Sequence, residues 1–316
     1  MIDISIIIVS WNVADVLTDC IDSILESPVA INKPNGDLPV VEIIVVDSAS
    51  SDDTVAMIRD RYPQVRLFAE DDNVGFVRGN NIGFAVAQGR YHFLLNPDTV
   101  LHDDAINKMV AYLDTNPEVG IVGPHTLNTD GTHQSTRRRF PSVPLAFFES
   151  TWLEKHAPNG MIDSFHVRDM LNDKTFDVDW LQGSALMARA EIYETIGGLD
   201  PLFFMYFEEV DWCKRAKDAG WRVVYLGDTF ITHHGGKSSG QVYTFQQQNF
   251  QTSKLLYYRK HYGRPLAEIL RVYLALHFLW QIVLESVKAM LGSEREMRRN
   301  RIKVYSEVLR SGLRVS

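Results

Sequence analysis

The stretch Ile4-Ser5-Ile6-Ile7-Ile8-Val9, which leads into Ser10-Trp11-Asn12, decides the fold. An almost unbroken run of β-branched residues is typical of a strand that is buried on both faces. Similar strand runs and helical patterns alternate over the first 125 residues, with strands at 41–46, 65–69, 91–95 and 119–122 and helices around 13–26, 53–62, 80–88 and 103–116. This alternation predicts a doubly wound, mostly parallel α/β sheet, whose ligands bind beyond the carboxyl ends of its strands.

The second half of the chain is predicted from less regular patterns. A strand-like run covers Ala185–Arg189, and a helix runs from about Glu208 to Ala219. Two strands are expected near Val223–Leu226 and Phe230–Thr232. After Gly240 the chain is predicted to be helical to its end.

Composition and charge exclude some classes of function. The 316 residues, 45% of them hydrophobic, suit one large or two closely joined domains. A formal net charge of −8 argues against a nucleic-acid binder.

Cys20 and Cys213 lie in helical patterns without a metal-ligand spacing, which indicates reduced, buried thiols. The chain opens on a strand pattern rather than a signal peptide, and its longest uncharged apolar stretch, Val272–Leu284, is too short to cross a bilayer. We therefore expect a cytoplasmic protein.

The C-terminal region differs in charge from the rest of the chain. From Ser286 to Ser316 there are eight Lys or Arg and three Glu, a local charge of +5, which leaves −13 for the remainder. The apolar region Leu266–Leu291 precedes this basic segment. Two interpretations remain open: a helical hairpin packed on the body or on a second subunit, and an interfacial anchor at an anionic membrane.

Polar residues follow the first two predicted strands. Because the first strand continues as Ser10-Trp11-Asn12, without a glycine-rich turn, a dinucleotide-binding enzyme is disfavoured. The second strand ends in Asp47, whose carboxylate can accept hydrogen bonds from a base N–H or a ribose hydroxyl. The alternative role, capping of the next helix, is assigned to Asp52.

Three glycines and two asparagines lie in the segment Asn73–Gly83, which follows the third strand. We expect a loop that opens a helix, where backbone N–H groups and the helix dipole favour an anion or a polar base. Arg78 is expected either to face a diphosphate or to lie solvated on the surface.

The fourth strand ends in Asn96-Pro97-Asp98. An apolar strand that delivers a carboxylate to its carboxyl end suits Mg²⁺ or Mn²⁺, which bind one or two carboxylates and complete their coordination with water and phosphate oxygens. The spacing alone is equally compatible with a turn that starts the helix at Asp103.

Three carboxylates, Glu208, Glu209 and Asp211, follow a run of large apolar residues that begins after Gly197-Gly198. Acids are common in the first turn of a helix because they complement its dipole. The functional interpretation is a general base in a partly desolvated pocket, where burial raises the proton affinity of a carboxylate. Farther along, His233-His234 precedes paired glycines at a strand end and indicates a metal or phosphate ligand.

Taken together, these segments resemble the inverting GT-A glycosyltransferases of family 2, especially bacterial rhamnosyltransferase-like members. The similarity runs from Ile4 to about Gly263. Two further stretches also resemble this subgroup, Arg138-Arg139-Phe140-Pro141-Ser142 and Tyr258-Arg259-Lys260-His261-Tyr262-Gly263. Six motifs occur in the correct order, which makes the signal far more specific than one motif alone.

The resemblance implies roles for individual residues. Asn96-Pro97-Asp98 is similar to the family's Asp-x-Asp metal motif with Asn in place of its first acid, so Asp98 is expected to bind the metal together with His233. Glu209 stands where the family usually has an Asp as catalytic base, and Asp211 is the reserve candidate. The donor nucleotide-sugar is expected at Ser10, Asn12, Asp47, Gly75, Arg78, Gly79, Asn80, Asn96 and Asp98, and the acceptor and sugars at Trp180, Gln182, Gly183 and Glu208.

The same resemblance implies a GT-A fold with a nucleotide-sugar-binding half (1–125), an acceptor-binding and catalytic half (126–245) and a C-terminal helical extension (246–316). The expected activity is metal-dependent, inverting transfer of a sugar, with dTDP-rhamnose as the favoured donor, to a glycan or lipid-linked glycan in cell-surface polysaccharide assembly. A UDP-hexose donor and a non-catalytic carbohydrate-binding relative are the alternatives. A nucleotidyltransferase is disfavoured because the first strand lacks a glycine- and lysine-rich phosphate loop.

Overall fold

The computed structural model describes residues 1–235, 243–292, 294–311 and 313. The first half of the chain forms β1 (Ile4–Ser10), α1 (Ala14–Glu26), β2 (Ala30–Ile31), β3 (Val40–Asp47), α2 (Thr54–Arg61), β4 (Arg66–Ala69), α3 (Gly75–Val86), β5 (Tyr91–Leu95), β6 (Thr99–Leu101), α4 (Ala105–Thr115) and β7 (Val119–Leu127). The second half forms β8 (Arg137–Arg138), α5 (Leu145–Phe148), α6 (Met161–Phe165), β9 (Phe176–Asp177), β10 (Trp180–Leu181), β11 (Ala185–Arg189), α7 (Ala190–Ile196), α8 (Glu208–Asp218), β12 (Arg222–His233), α9 (Tyr243–Tyr262), α10 (Arg264–Met290) and α11 (Arg295–Arg310).

Ten strands form one mixed sheet in the order β2-β3-β1-β5-β11-β7-β12-β6, with β4 also paired to β3 and β9 to β12. Strands β3, β1 and β5 run parallel, whereas β11 pairs antiparallel with both β5 and β7. The predicted α/β class and the C-terminal helices are confirmed. The carboxyl ends of β3, β1 and β5 meet at one edge of the sheet, which places Asp47, Ser10 and Asn96 there.

The apolar residues of the first strands form the core of this sheet. Every residue of β3 is buried, as the unbroken hydrophobic run predicts for a strand covered on both faces. Helix α1 contributes Leu17, Ile21 and Ile24 to the same core, at the three- and four-residue spacing of one helical face.

Helix α3 begins at Gly75, earlier than the predicted start at Asn80. The prediction of a glycine-rich loop before the helix is therefore wrong for this segment. Gly79 and Gly83 lie within the helix and let it pack closely on β1. A Cβ atom at Gly79 would lie 2.7 Å from Val9 Cγ1, and one at Gly83 would lie 2.3 Å from Ile7 Cγ2. The spacing of glycines in a sequence does not distinguish a loop from a place where a helix packs closely against a strand.

The two strands predicted at 223–226 and 230–232 are one strand, β12, with a shift of register against β7 between Leu226 and Phe230. Such a bulge inserts residues without ending the pairing, so that the hydrophobic pattern is interrupted while the strand continues. This continuation carries His233 to the end of β12, opposite Thr99 of β6.

The chain divides into two compact units. The first contains the whole sheet, built from Met1–Phe140, His166–Pro201 and the chain from Glu208 through β12. The predicted parts 1–125 and 126–245 thus contribute strands to one continuous sheet. The second unit contains Pro141–Phe165, Leu202–Phe207 and the C-terminal helices.

Helix α10 is 27 residues long and is a candidate membrane span by length and composition alone. The sequence expectation concerned only the uncharged stretch Val272–Leu284, which is too short to cross a bilayer by itself. The uncharged stretch that ends at Leu284 is only part of a longer apolar helix, which accommodates a few charged residues.

Candidate active site

Asn96-Pro97-Asp98 joins β5 to β6 and does not start a helix, since α4 begins only at Ala105. The segment is held from both sides. Asn96 N–H donates to the Ser184 carbonyl (2.9 Å), and the Thr99 hydroxyl donates to the Asn96 carbonyl (2.6 Å). The alternative of a helix-starting turn is excluded by this position between two strands.

Asp98 and His233 lie together at the end of the β6–β12 pair, as the sequence predicts. Asp98 Oδ1 is 3.2 Å from His233 Nε2, and both side chains are more than nine-tenths buried. The Asn96 side-chain amide also approaches His233 Nε2, at 3.3 Å. His234 N–H donates to the Asp98 carbonyl (2.9 Å), which fixes the two segments against each other.

Gln134, which sequence reasoning missed, sets the orientation of the His233 ring. His233 Nδ1 is 2.7 Å from Gln134 Oε1, an atom that can only accept, so the ring carries its proton on Nδ1. The Gln134 amide nitrogen donates to Asn128 Oδ1 (2.9 Å), which fixes the direction of the amide. Gln134 follows a turn in an irregular segment, and no spacing in the sequence relates it to a histidine 99 positions away.

This arrangement fits a divalent metal. With Nδ1 engaged by Gln134, His233 has Nε2 directed toward the Asp98 carboxylate at 3.2 Å, and these two side chains would hold a divalent cation. Among the described residues no group of three or more His, Cys, Asp or Glu forms a complete metal cage. An ion that keeps water and diphosphate oxygens in its coordination sphere needs only one or two protein ligands. The rest of the predicted histidine motif, from Gly236 onward, lies outside the described residues.

Ser10, Asn12 and Asp47 form one hydrogen-bonded loop at the neighbouring strand ends. Asp47 Oδ1 accepts from the hydroxyls of Ser10 (2.8 Å) and Ser50 (2.6 Å), and Asp47 Oδ2 accepts from Ser50 N–H (2.8 Å). Asn12, whose φ is +52°, accepts from Ser51 N–H (2.7 Å). The buried Asp47 carboxylate therefore organises the loop, and a nucleotide that binds here would meet the backbone that Asp47 holds in place.

The predicted donor residues of α3 divide into buried and exposed positions. Asn80 is buried, and its side-chain amide donates to the Phe76 carbonyl (2.9 Å) within the helix. Gly79 packs on β1, as described above, whereas Arg78 is exposed. Just before the helix, Asn73 Oδ1 accepts from Gly75 N–H (3.0 Å) and forms a local turn that leads into α3.

Glu208 and Glu209 form a buried carboxyl pair at the start of α8. Burial, with smaller opposing contributions from backbone hydrogen bonds, raises the pKa of Glu209 from 4.5 to about 7. Burial, and then the charge of Glu209, raises the pKa of Glu208 well above its ordinary value. Each side chain has a buried Oε2 atom that finds no hydrogen-bond partner in the part of the chain that the structure describes, an arrangement that suits a carboxyl group prepared to exchange a proton.

The turn between β10 and β11 contacts Glu209 directly. The backbone N–H of Gly183 and the positive charge of Arg138 both lower the pKa of Glu209, against the larger effect of burial. A Cβ atom at Gly183 would lie 3.8 Å from Glu209 Cβ and 3.7 Å from Phe76 Cζ, so this glycine faces both α8 and α3. The structure thus brings the predicted residues Gly183 and Glu209 together and adds Arg138 to them.

Trp180 and Gln182 flank this turn. Trp180 pairs with Arg138 in the small β8–β10 sheet, and its indole N–H donates to the Arg139 carbonyl (2.9 Å). Gln182 N–H donates to the Thr136 carbonyl (2.7 Å), while the Gln182 side chain is exposed. The two side chains therefore stand beside Gly183 on a framework fixed by backbone hydrogen bonds.

Asp211 has a different environment from the glutamates. It is fully buried and accepts from Arg215 Nε (2.8 Å). The same guanidinium donates to the carbonyls of Ile196 and Gly198, both at 2.6 Å. These bonds tie α8 to the Gly198 segment, so the arrangement favours a structural role for Asp211 over that of reserve base.

Two solved structures share the fold of this chain. One is a mannosyltransferase from Pyrobaculum calidifontis in complex with GDP-Man and Mn²⁺, with a TM-score of 0.55 and 15% identity over 97% of this chain and 84% of that one. The other is GalNAc-T7 with UDP, GalNAc and Mn²⁺, with a TM-score of 0.55 and 15% identity over 82% of this chain and 50% of that one. At this identity the likeness concerns the fold, which is the GT-A fold that the sequence predicted.

This fold, with a carboxylate and a histidine at the ends of β6 and β12 and buried glutamates at the start of α8, is that of the GT-A class. The chain belongs to glycosyl transferase family 2, whose family model matches residues 5–212. It is therefore an enzyme of the hexosyltransferase type, as expected.

Several curated relatives are rhamnosyltransferases, which confirms the predicted likeness to that subgroup. An N-acetylglucosaminyl-diphospho-decaprenol L-rhamnosyltransferase of Mycobacterium tuberculosis is 27% identical over 64% of this chain and 69% of its own length. Rhamnosyltransferase WbbL of Escherichia coli is 26% identical over 51% of this chain and 61% of its own length. The dTDP-rhamnosyl transferase RfbF of Shigella flexneri is 22% identical over 63% of this chain and 62% of its own length.

Proposed function

We propose that this glycosyltransferase transfers a sugar from a nucleoside-diphosphate donor to a hydroxyl of a glycan or lipid-linked glycan by a metal-dependent single displacement that inverts the anomeric centre. The observation that carries the proposal is the buried Glu209 carboxyl, whose Oε2 atom has no hydrogen-bond partner among the described residues and whose pKa is about 7. A carboxyl group titrating near neutral pH accepts a proton efficiently and releases it again, as turnover requires.

Glu209 acts as the general base. It removes the proton of the acceptor hydroxyl while the hydroxyl oxygen bonds to the anomeric carbon, and the bond from that carbon to the donor diphosphate breaks on the opposite side. The Gly183 N–H and the Arg138 charge stabilise the ionised form of Glu209 and keep its pKa from rising further. Glu209 is one methylene longer than the Asp usual at this position in the family.

Asp98 and His233 hold the Mg²⁺ or Mn²⁺ ion, and Asn96 contributes its amide rather than a charge. A divalent cation supplies Lewis-acid stabilisation of the departing diphosphate when it is bound. The fixed Nδ1 proton of His233, which Gln134 accepts as a hydrogen bond, directs the other ring nitrogen toward Asp98. The Mn²⁺ complexes of both fold neighbours agree with such an ion, without deciding between the two metals.

The donor nucleotide is assigned to the loop that Asp47 organises, together with Ser10, Asn12 and Asn80. Because the Asp47 carboxylate is already bonded to two hydroxyls and one amide, its contribution is to present loop N–H and C=O groups to the base and ribose. Gly75, Arg78 and Gly79 are assigned to the donor as well, and among them the exposed Arg78 has the charge to face a diphosphate.

The acceptor and transferred sugar are assigned to the surface around Gly183. Trp180 offers an aromatic face, Gln182 an exposed amide and Glu208 a buried carboxyl next to the base. Sugars combine apolar C–H faces with rings of hydroxyls, so an aromatic ring beside hydrogen-bonding groups suits them.

The favoured donor is dTDP-rhamnose, and the favoured process is assembly of a cell-surface polysaccharide. The names of the Mycobacterium and Escherichia relatives support rhamnose, and that of the Shigella relative supports dTDP-rhamnose, at 22–27% identity. A UDP-hexose donor fits the same chemistry, because sugar choice depends on a few pocket contacts. The proposed location is the cytoplasm, at the inner face of the plasma membrane.

A donor panel tests these assignments. Thermal shift is measured with dTDP-rhamnose, UDP-glucose, UDP-galactose and UDP-N-acetylglucosamine, each with and without Mn²⁺. We expect the largest stabilisation with dTDP-rhamnose and Mn²⁺ together, and its loss in Asp98→Ala. A larger shift with a UDP sugar would replace the donor, and an equal shift in Asp98→Ala would refute the metal assignment.

Hydrolysis of the preferred donor separates an enzyme from a non-catalytic carbohydrate-binding relative. Slow, Mn²⁺-dependent release of nucleoside diphosphate is expected from the wild-type chain, because water can replace the acceptor hydroxyl. Donor binding without any release or transfer would support the binding protein instead.

A further inference from the structure

Helix α10 presents an exposed apolar stripe. Six side chains recur every three or four residues along one side of the helix, and each exposes between 45% and 74% of its surface: Val272, Leu276, Leu279, Val283, Val287 and Met290. The side of α10 that faces the protein is separately filled by Leu270, Leu274 and Phe278. An apolar stripe of this length is in excess of what the fold of the unit uses.

Helix α11 carries a row of exposed cations. Arg295, Arg299, Lys303 and Arg310 are spaced four, four and seven residues apart, which places them on one helical face. Within the described part of the chain none of the four forms an ion pair with an acid, whereas Arg298, on the neighbouring face, pairs with Glu285 of α10 (2.7 Å). The row therefore remains available to an anionic partner.

The apolar stripe and the cation row lie on the same side of the α10–α11 hairpin. The helices are antiparallel, since Arg298 meets Glu285 while the later Tyr305 meets the earlier Phe278, with ring centroids 5.6 Å apart. In each helix the exposed row is displaced from the contact face in the same sequence direction, by about 150° on α10 and about 115° on α11. Antiparallel helices viewed from one end rotate in opposite senses, so displacements in the same sequence direction bring the near edges of the two rows toward one side of the hairpin.

A groove confirms this placement independently. It has a volume of about 390 Å³ and is lined by Val272, Leu276 and Leu279 of α10 together with Leu309 of α11. Leu309 immediately precedes Arg310 of the cation row. Apolar and cationic side chains thus border one another across the two helices.

We propose that this side of the α10–α11 hairpin is a docking surface for an anionic lipid bilayer. The apolar stripe enters the boundary between headgroups and acyl chains, and the cation row contacts the anionic headgroups. Helix α10 lies along the membrane and does not cross it, because its opposite face is packed with protein and holds the buried Glu285–Arg298 ion pair. The surface keeps the enzyme beside a lipid-linked acceptor, a consequence that rests on the proposed function.

A second copy of the chain fits this surface less well. From Arg264 to Ser311 the hairpin carries nine Lys or Arg and five Glu, a net charge of +4. A two-fold interface through the stripe would bring two such segments together, and their unpaired cations would repel each other. An anionic membrane supplies the missing counter-charge.

The test is flotation of the full-length protein with phosphatidylcholine vesicles and with mixed phosphatidylcholine–phosphatidylglycerol vesicles, at low and high salt. We expect binding to the mixed vesicles that weakens with salt, and little binding to phosphatidylcholine alone. The double variant Arg299→Gln/Lys303→Gln should bind more weakly by about fivefold for each cation at low salt. Leu276→Gln/Leu279→Gln, which keeps helix propensity, should lose about tenfold or more at either salt concentration.

Matched controls are Arg59→Gln and Leu171→Gln, which alter exposed residues outside the hairpin and should bind as the wild type does. Absence of the wild type from the floating fraction at low salt overturns the proposal. A second result would also overturn it. In that result the wild type is a dimer in sedimentation velocity and Leu276→Gln/Leu279→Gln is a monomer, while both bind vesicles equally. Flotation is measured without donor or acceptor. A protein that does not bind vesicles can therefore still be an active transferase, which the donor panel tests separately.

Discussion

Replacement of Glu209 by Gln should lower turnover and raise stability together. Glu209 is 8% exposed, and its pKa in the folded protein is about 7 against an ordinary value of 4.5. A pKa displaced this far corresponds to about 3 kcal/mol of unfavourable free energy for holding the carboxylate ionised in the fold. A Gln amide has the same shape and no charge, so at pH 8 the variant should gain stability of that order.

The sign of the pH dependence follows from the direction of the shift. Because the folded-state pKa lies above the unfolded value, the folded protein holds the Glu209 proton more tightly. The carboxyl is neutral in both states below about pH 4.5, and the cost of ionising it grows between that pH and about 7. The advantage of Glu209→Gln should therefore be absent at pH 4, rise up to about pH 7 and stay constant above it.

Two measurements check this reasoning. Urea unfolding of wild type and Glu209→Gln at pH 4 and pH 8 gives the stability difference, and initial rates of sugar transfer give the turnover. Turnover should fall by about 10²–10⁴ with donor binding retained, and wild-type activity should itself fall below about pH 7 as the base becomes protonated. Glu194→Gln, at an exposed position of α7, is the matched control and should change neither quantity. Near-normal turnover would exclude Glu209 as base, and a loss of stability at pH 8 would refute the burial argument.

Three further outcomes follow from the packing around the site. Gln134→Leu should weaken Mn²⁺ binding measured by calorimetry by about 10–100-fold, because His233 loses the partner that fixes its Nδ1 proton, whereas Gln134→Glu should retain it. Gly83→Ala should lower the free energy of unfolding by about 1–3 kcal/mol, since its Cβ would lie 2.3 Å from Ile7 Cγ2; an unchanged urea midpoint would contradict the close packing. Asp211→Asn should lower the free energy of unfolding by about 3–5 kcal/mol, because the variant loses the buried ion pair with Arg215. A variant that is active and as stable as the wild type would contradict this structural role, and Asp211 would again be a candidate base.

The sequence predicts most of the sheet because each buried strand has a continuous run of hydrophobic residues. Tyr91–Leu95 and Ala185–Arg189 match the predicted strands residue for residue, and the side chains predicted at the strand ends lie at one edge of the sheet. Parallel strands bring their carboxyl ends together by geometry, so the approach of Asp47 and Asn96 to a common edge needs no long-range information.

Local sequence patterns do not predict the contacts that determine the roles of individual site residues. The pairing of Gln134 with His233 spans 99 residues, and nothing in the irregular segment around Gln134 distinguishes it from a surface amide. The approach of Gly183 to Glu209 joins the β10–β11 turn to the start of α8, and hydrophobic periodicity does not encode such a contact. The glycines of α3 were ambiguous for another reason, since a loop and a close helix–strand contact use the same residue type.

Backbone strain stands directly before the proposed base. Tyr206 and Phe207 have φ values of +68° and +65°, a left-handed conformation that costs non-glycine residues about 1–2 kcal/mol each. Aromatic contacts offset this cost: Phe207 lies 5.5 Å from the Tyr257 ring and 5.6 Å from Phe250, and Tyr206 also meets Phe250. The next residue is Glu208, where α8 begins. The apolar run that the sequence shows before the glutamates thus provides the aromatic rings that hold this strained turn.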